Sequence, residues 1–259
     1  MSDIKVSQLQ FRRGARTILQ GIDLSFATGT LTAVLGPNGA GKSTLLGCMA
    51  GLLSPHAGTI EVGGIALQDF PDQERARRIA FLPQTPQIAW PIDVETLVGL
   101  ARIPYARVAT AVENREAVRH AMEMTAVSPW AKRTVTELSG GERARVLLAR
   151  VFAGTSQWIL ADEPFAGLDP AHQLESAESL RAFAACGGGV VLTIHDLSLA
   201  ARIADRIVVL NDGHIAAEGA PQVALDSTVL RSVYGVETEW LMASARRTPV
   251  IAIHGRYAR

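Results

Sequence analysis

Gly36-Pro37-Asn38-Gly39-Ala40-Gly41-Lys42-Ser43-Thr44 follows a short apolar run at 31–35 and opens a stretch of helical character over 42–53. A strand, a glycine-rich turn and a helix in that order is the context a phosphate-binding loop needs. The glycines let the backbone curl so that successive N–H groups face an anion. The helix start adds its positive dipole end. Lys42 reaches the β and γ phosphates of a bound nucleotide, and Ser43 offers a hydroxyl to Mg2+.

A second motif complements it. Trp158-Ile159-Leu160-Ala161-Asp162-Glu163-Pro164 is an apolar strand ending in two carboxylates. At a strand tip beside a phosphate loop, Asp162 holds Mg2+ through its water shell. Glu163 then polarises the water that attacks the γ-phosphate. A third, Leu138-Ser139-Gly140-Gly141-Glu142-Arg143, stands just before a helical run. It reads as an N-cap made by Ser139 and equally as a second anion nest of free N–H groups and a hydroxyl.

Around these motifs strands and helices alternate. The segment 4–26 reads as two antiparallel strands joined by a turn, and short strands are expected at 59–65, 79–82, 158–161, 190–194 and 207–210. Helices are expected at 73–78, 173–185 and 197–204. Residues 94–152 are helical in pattern, broken at Pro104, at Ser128-Pro129 and at Ser139-Gly140-Gly141. Within them 115–127 is amphipathic, with Val118, Met122 and Ala126 at four-residue spacing. Alternating strands and helices imply an α/β fold with a mainly parallel sheet, into which the helical middle is inserted.

Composition excludes several classes. The 259 residues carry 25 basic and 25 acidic side chains, a balance that argues against broad nucleic-acid binding. Two cysteines, Cys48 and Cys186, exclude a disulfide scaffold and a four-cysteine zinc site. No apolar run approaches the roughly 20 residues needed to span a bilayer. The start, MSDIKVSQLQ, lacks the basic and apolar regions of a signal peptide, so the chain is expected to remain where it is made.

The three motifs together resemble the ATP-binding-cassette (ABC) ATPases, the motor subunits of ABC transporters, over nearly the whole chain. GPNGAGKST matches their Walker A motif, WILADE their Walker B motif and LSGGE their signature. The resemblance implies a P-loop NTPase (RecA-like) core with an antiparallel β subdomain, formed by 1–88 and 156–259, and a helical signature subdomain at 89–155. It implies further roles. Gln84, in FLPQ, matches the glutamine that senses magnesium and water and relays to the membrane partner. Asp169, in AGLD, matches a loop that crosses a dimer interface, and His195 matches the switch histidine on the γ-phosphate. The cofactors implied are ATP and Mg2+. The assembly implied is a homodimer closed on two ATP molecules, each site combining Lys42 of one chain with Ser139-Gly140-Gly141 of the other.

One position departs from that pattern. The aromatic residue that stacks on adenine in the family aligns with Arg13. Either Phe11, two residues earlier on the same strand face, or the guanidinium of Arg13 takes that place.

A soluble ABC protein is the alternative to a transporter motor. The single cassette argues against the fused translation factors, and the absence of heptads against the repair proteins. An Fe–S assembly relative remains the alternative. Ala89-Trp90-Pro91-Ile92-Asp93-Val94, Gly99-Leu100-Ala101-Arg102-Ile103-Pro104 and Val233-Tyr234-Gly235-Val236 resemble the importers of iron–siderophore, haem and cobalamin. That likeness implies a peripheral subunit on the cytoplasmic face of the membrane. Its partners are integral permease subunits and, indirectly, a periplasmic binding protein. No extra regulatory domain of the sugar-importer kind is expected.

Overall fold

The computed structural model describes residues 3–84, 88, 90–243 and 248–257. Its centre is a six-stranded sheet built from β3 (Leu31–Leu35), β6 (Ile79–Leu82), β7 (Trp158–Asp162), β8 (Gly189–Thr193), β9 (Arg206–Asn211) and β10 (His214–Gly219). The order is β10-β9-β3-β8-β7-β6, parallel throughout except for the antiparallel edge strand β10.

The central strands are apolar at nearly every position because both faces of the sheet are covered. Alternate residues go to opposite cores. Leu31, Ala33 and Leu35, with Ile159, Ala161, Val190, Leu192, Ile207 and Val209, face a core shared with the helices. Val34, Trp158, Leu160, Val191, Val208 and Leu210 face the other core. That second core is closed by an antiparallel sheet of β1 (Ile4–Arg13), β2 (Arg16–Phe26), β4 (Ala57–Val62) and β5 (Ile65–Ala66), ordered β2-β1-β4-β5.

The helices are α1 (Lys42–Met49), α2 (Asp72–Arg78), α3 (Val94–Gly99), α4 (Ala111–Met124), α5 (Gly140–Ala153), α6 (Pro170–Ala185), α7 (Leu197–Ile203), α8 (Pro221–Ala224) and α9 (Ser227–Tyr234). The middle of the chain is helical, as its pattern predicts. Its first helices are fastened to α5 by a buried arginine. Arg102 donates to Asn114 Oδ1 at 2.8 Å, to the Ala153 carbonyl at 3.0 Å and to Thr155 Oγ1 at 2.8 Å. Its guanidinium also lies over the Tyr105 ring, 3.7 Å from the centroid.

Several expected boundaries differ. The helix expected over 42–53 stops at Met49, because the chain turns left-handed at Gly51, φ +70°. The strand expected over 59–65 is two strands, β4 and β5, separated by the Gly63-Gly64 turn. Ala126 does not continue the buried stripe of Val118 and Met122; it is exposed, with φ +53°, beyond the end of α4. No helix or strand is expected beyond 210, yet the chain forms β10, α8, α9 and a hairpin, β11 (Val236–Ala243) with β12 (Thr248–Arg256). Ala89 lies outside the described residues.

Candidate nucleotide site

The loop 36–44 leaves the carboxyl end of β3 and enters α1, where ligands bind in open parallel sheets. Gly36 has φ +146°, and a Cβ there would come within 2.2 Å of the Leu210 carbonyl oxygen. Gly41 has φ +104°, and its Cβ would meet Leu19 Cδ2 at 2.7 Å. Only glycine lets the loop lie this close to β9 and β2. Lys42 Nζ donates to the carbonyls of Gly36 at 2.8 Å and Pro37 at 3.0 Å, so its ammonium is held inside the curl of the loop. Burial lowers the Lys42 pKa, while the charges of Glu163 and Asp162 pull the other way.

A cleft of about 710 Å³ opens over the loop. Asn38, Gly39, Gly41, Lys42, Ser43 and Thr44 form its floor. Gln84, Glu163 and His195 form one side, and Arg13, Arg16 and Ile18 the other.

The carboxylates sit at the end of β7. Asp162 is buried and is not part of the cleft wall. Its Oδ1 accepts from Thr193 Oγ1 at 2.6 Å. Glu163 turns out of the strand with φ +51°, and its side chain meets His195, Nε2 to Oε1 at 2.6 Å. His195 precedes α7, whose N-terminus Asp196 caps by accepting from the Leu199 N–H at 2.9 Å.

Apart from the His195 imidazole, which is taken up by Glu163, the donors near Lys42 are oxygens: the Ser43 hydroxyl, the Gln84 amide oxygen and two carboxylates. Among the described residues no group of three or more His, Cys, Asp or Glu side chains forms a metal cage. That donor set fits magnesium, which takes few protein ligands and fills its shell with water and phosphate oxygens.

The adenine question has a structural answer on one side. Phe11 is 8% exposed, belongs to the core and packs edge-on against His56, with ring centroids 5.6 Å apart. It does not reach the cleft, so the expectation that it substitutes for the stacking ring is corrected. The reason is a register shift between Phe11, opposite Leu19, and Arg12, opposite Thr17, which leaves Ile18 as an extra residue. Such a bulge sharpens the twist and re-aims the side chains beyond it. Arg13 and Arg16 therefore face the cleft and Phe11 the core.

Ser139, Gly140, Gly141 and Asp169 are not brought to this cleft. Ser139 caps α5 in a reciprocal box: its hydroxyl accepts from the Glu142 N–H at 3.3 Å, and its own N–H donates to Glu142 at 2.8 Å. Apart from its chain neighbours and the backbone of α5 itself, no described atom lies within 4 Å of a Cβ built on Gly140. Asp169 caps α6, accepting from the His172 N–H at 3.0 Å, and meets His172 Nδ1 at 2.6 Å. Those bonds hold its carboxyl below the usual range.

Sequence reading missed four contributors. Arg16 and Ile18 line the cleft but belong to no recognisable motif. Tyr234, at the end of α9, faces the Gly36 amide, which lowers its pKa, but burial dominates and raises it to about 12. Thr193 bonds both carboxylate-bearing residues.

A strand, a phosphate loop closed around a lysine, and a carboxylate paired with a histidine beside it define a P-loop nucleoside triphosphatase. The family model described as ABC transporter matches residues 19–166, and the chain belongs to that family. It is accordingly an ATP-binding subunit and an ATPase.

Among its relatives is the hemin import ATP-binding protein HmuV of Pseudomonas entomophila, 42% identical over 241 residues, which are 90% of this chain and 93% of that protein. The HmuV of Thermobifida fusca is 41% identical over 238 residues, 92% of this chain and 84% of that protein. Among solved structures, a chain described as part of a metal-chelate type ABC transporter in an inward-facing conformation matches with TM-score 0.84 and 27% identity. It covers 99% of this chain and 98% of its own. A dimeric bacterial ABC transporter cassette matches with TM-score 0.76 and 27% identity, over 84% of this chain and 98% of that one.

Proposed function

We propose that this ATPase drives hemin import, as a homodimer bound to the cytoplasmic face of a membrane permease. The observation that carries the reading is likeness over nine-tenths of the chain to proteins named for hemin import. The near full-length match to a metal-chelate type transporter chain supports it. Both favour a transporter subunit over a soluble Fe–S assembly protein. No helix among the described residues is long and apolar enough to cross a bilayer.

In the proposed cycle ATP lies along loop 36–44, with the β and γ phosphates against the loop N–H groups and Lys42. Arg13 stacks its guanidinium on the base. Ser43, Asp162 and Gln84 would hold Mg2+ through oxygen atoms and water, and the ion would supply charge neutralisation on the phosphates. Glu163 orients and polarises water for attack on the γ-phosphate, and His195 steadies both Glu163 and the γ-phosphate. The site is completed by Ser139, Gly140 and Gly141 of a second copy, whose nest covers the rest of the γ-phosphate. The open space at Gly140 supports a partner phosphate there, and Asp169 lies at the interface between copies. ATP thus joins the dimer and hydrolysis loosens it.

We assign segments 1–88 and 156–259 to the nucleotide-binding core and 89–155 to a helical unit that carries the signature and meets the permease. Purified subunit reconstituted in liposomes with a hemin permease and its binding protein tests the cargo. Uptake of hemin, with ATPase stimulation by hemin-loaded binding protein, is expected. Uptake of a ferric siderophore or cobalamin and not hemin contradicts the cargo, and permease-independent fractionation away from membranes contradicts the transport role.

A further inference from the structure

Thr193 is a residue of β8 to which no motif assigns a role, and it is 0% exposed. In the parallel pairing of β7 with β8 it stands opposite Asp162. Register partners on neighbouring strands carry their side chains side by side on one face. The Thr193 hydroxyl donates its one proton to Asp162 Oδ1 at 2.6 Å. A lone pair of the same oxygen accepts the backbone N–H of Glu163 at 2.8 Å.

That N–H belongs to the residue at which the strand ends. Glu163 has φ +51°, a left-handed conformation that L residues with a Cβ rarely adopt. Strain of this kind persists where surrounding contacts over-determine it. Here the contact is the Thr193 hydroxyl, since it receives the N–H that the turn removes from the strand's regular course. The side chain that leaves this turn is the one bonded to His195.

We propose that Thr193 is a positioning residue for hydrolysis: one hydroxyl fixes the Asp162 carboxylate and the backbone turn that aims Glu163. The inference rests on the reading of Glu163 as the residue that orients the attacking water. Valine at this position keeps the shape, removes the proton for Asp162 and leaves the Glu163 N–H unpaired. A residue acting through the aim of another changes kcat more than binding, since misplacement of about 1 Å costs up to about 10²-fold.

The test compares Thr193→Val, Thr193→Ser and Glu163→Gln, singly and with Thr193→Val added to Glu163→Gln. Single-turnover hydrolysis, MgATP binding and thermal melting are measured on each. Thr193→Val is expected to lose about 10- to 100-fold in single-turnover rate. Its MgATP affinity is expected to stay within about 3-fold, and Thr193→Ser to restore the rate. In the Glu163→Gln background Thr193→Val is expected to cost little more, because two changes acting on one interaction are not additive. If Thr193→Val does not fold, Thr193→Ala removes the same hydroxyl without added bulk. A folded hydroxyl-free variant at wild-type rate, or one whose loss multiplies fully with that of Glu163→Gln, overturns the proposal. Wild-type turnover by Glu163→Gln would instead overturn the reading of Glu163 itself.

Discussion

Nε2 of His195 and Oε1 of Glu163 lie 2.6 Å apart across the mouth of the phosphate loop, on residues that follow neighbouring strands β8 and β7. The contact holds the Glu163 carboxylate beside Lys42, where the γ-phosphate of a bound nucleotide lies in the proposed cycle. Glu163→Gln keeps the shape and loses the basic oxygen. It is expected to bind MgATP and to turn over at least about 10²-fold more slowly, trapping an ATP-bound dimer. Steady-state hydrolysis and gel filtration with ATP check both; wild-type turnover removes Glu163 from the mechanism.

Phe11 and Arg13 lie two residues apart and are expected to fail differently. Phe11→Ala empties part of a packed core and costs about 3–5 kcal/mol of stability, with little change in the KM for ATP of the folded protein. Arg13→Ala leaves the melting temperature nearly unchanged and raises that KM by roughly 2- to 10-fold, the worth of about 0.5–1.4 kcal/mol of cation–π contact. Melting curves and ATP titrations separate the two, and the reverse pattern returns the base contact to Phe11.

Trp90, Ile103 and Val108 are 74%, 64% and 62% exposed, large apolar side chains left in water by the segment that follows Gln84. They lie in or beside the segment proposed to meet the permease, where a partner would cover them. Trp90→Ala and Ile103→Asp are expected to spare ATPase activity in the free subunit and to abolish import in the reconstituted transporter. Normal import by both variants places the permease contact elsewhere.

The cap on α5 carries a pH signature. The bond from the Ser139 N–H, then that to the Ser139 hydroxyl, and then Arg133 hold the Glu142 carboxyl below its ordinary value of 4.5. A depressed folded pKa adds stability that is complete above the unfolded value and lost as pH falls through the folded one. Melting temperatures of wild type and Glu142→Gln are therefore expected to differ at pH 7 and to converge as the pH falls below the ordinary value of 4.5 and through the depressed folded one. A gap that stays constant over that range contradicts an ionic cap.

The parts legible from sequence are those whose chemistry is local. Loop 36–44 needs its glycines where the backbone approaches β2 and β9, and the lysine must follow at once, so the motif announces itself. Strand β7 ending in Asp162 and Glu163 is legible for the same reason. Thr193 is not, because its importance lies in the register between β7 and β8, which brings together residues 31 positions apart. The bulge at Ile18 that separates Phe11 from Arg13 depends on the pairing of two strands and leaves no local sign. Ala126 fits the spacing of the stripe on α4, yet Thr125 ends the helix and the next residue turns left-handed. The hairpin of β11 and β12 is not legible because its alternation is masked: Val236 and Trp240 are half-buried between exposed Glu237, Glu239 and Leu241, but a polar Thr238 shares the inner face and an apolar Leu241 the outer one.

The central claim is that two copies share each ATP site, with Lys42 from one and Ser139-Gly140-Gly141 from the other. Mixing two inactive variants, Lys42→Ala and Ser139→Arg, tests it most directly. If sites are shared, a mixed dimer contains one site with both defects and one with none. If each chain builds its own site, every site in the mixture is defective. Nucleotide trapping is the readout, because a single intact site suffices for it. The account predicts trapping in the mixture above that of either parent; trapping no higher than the parents, with mixed dimers shown to form, contradicts it.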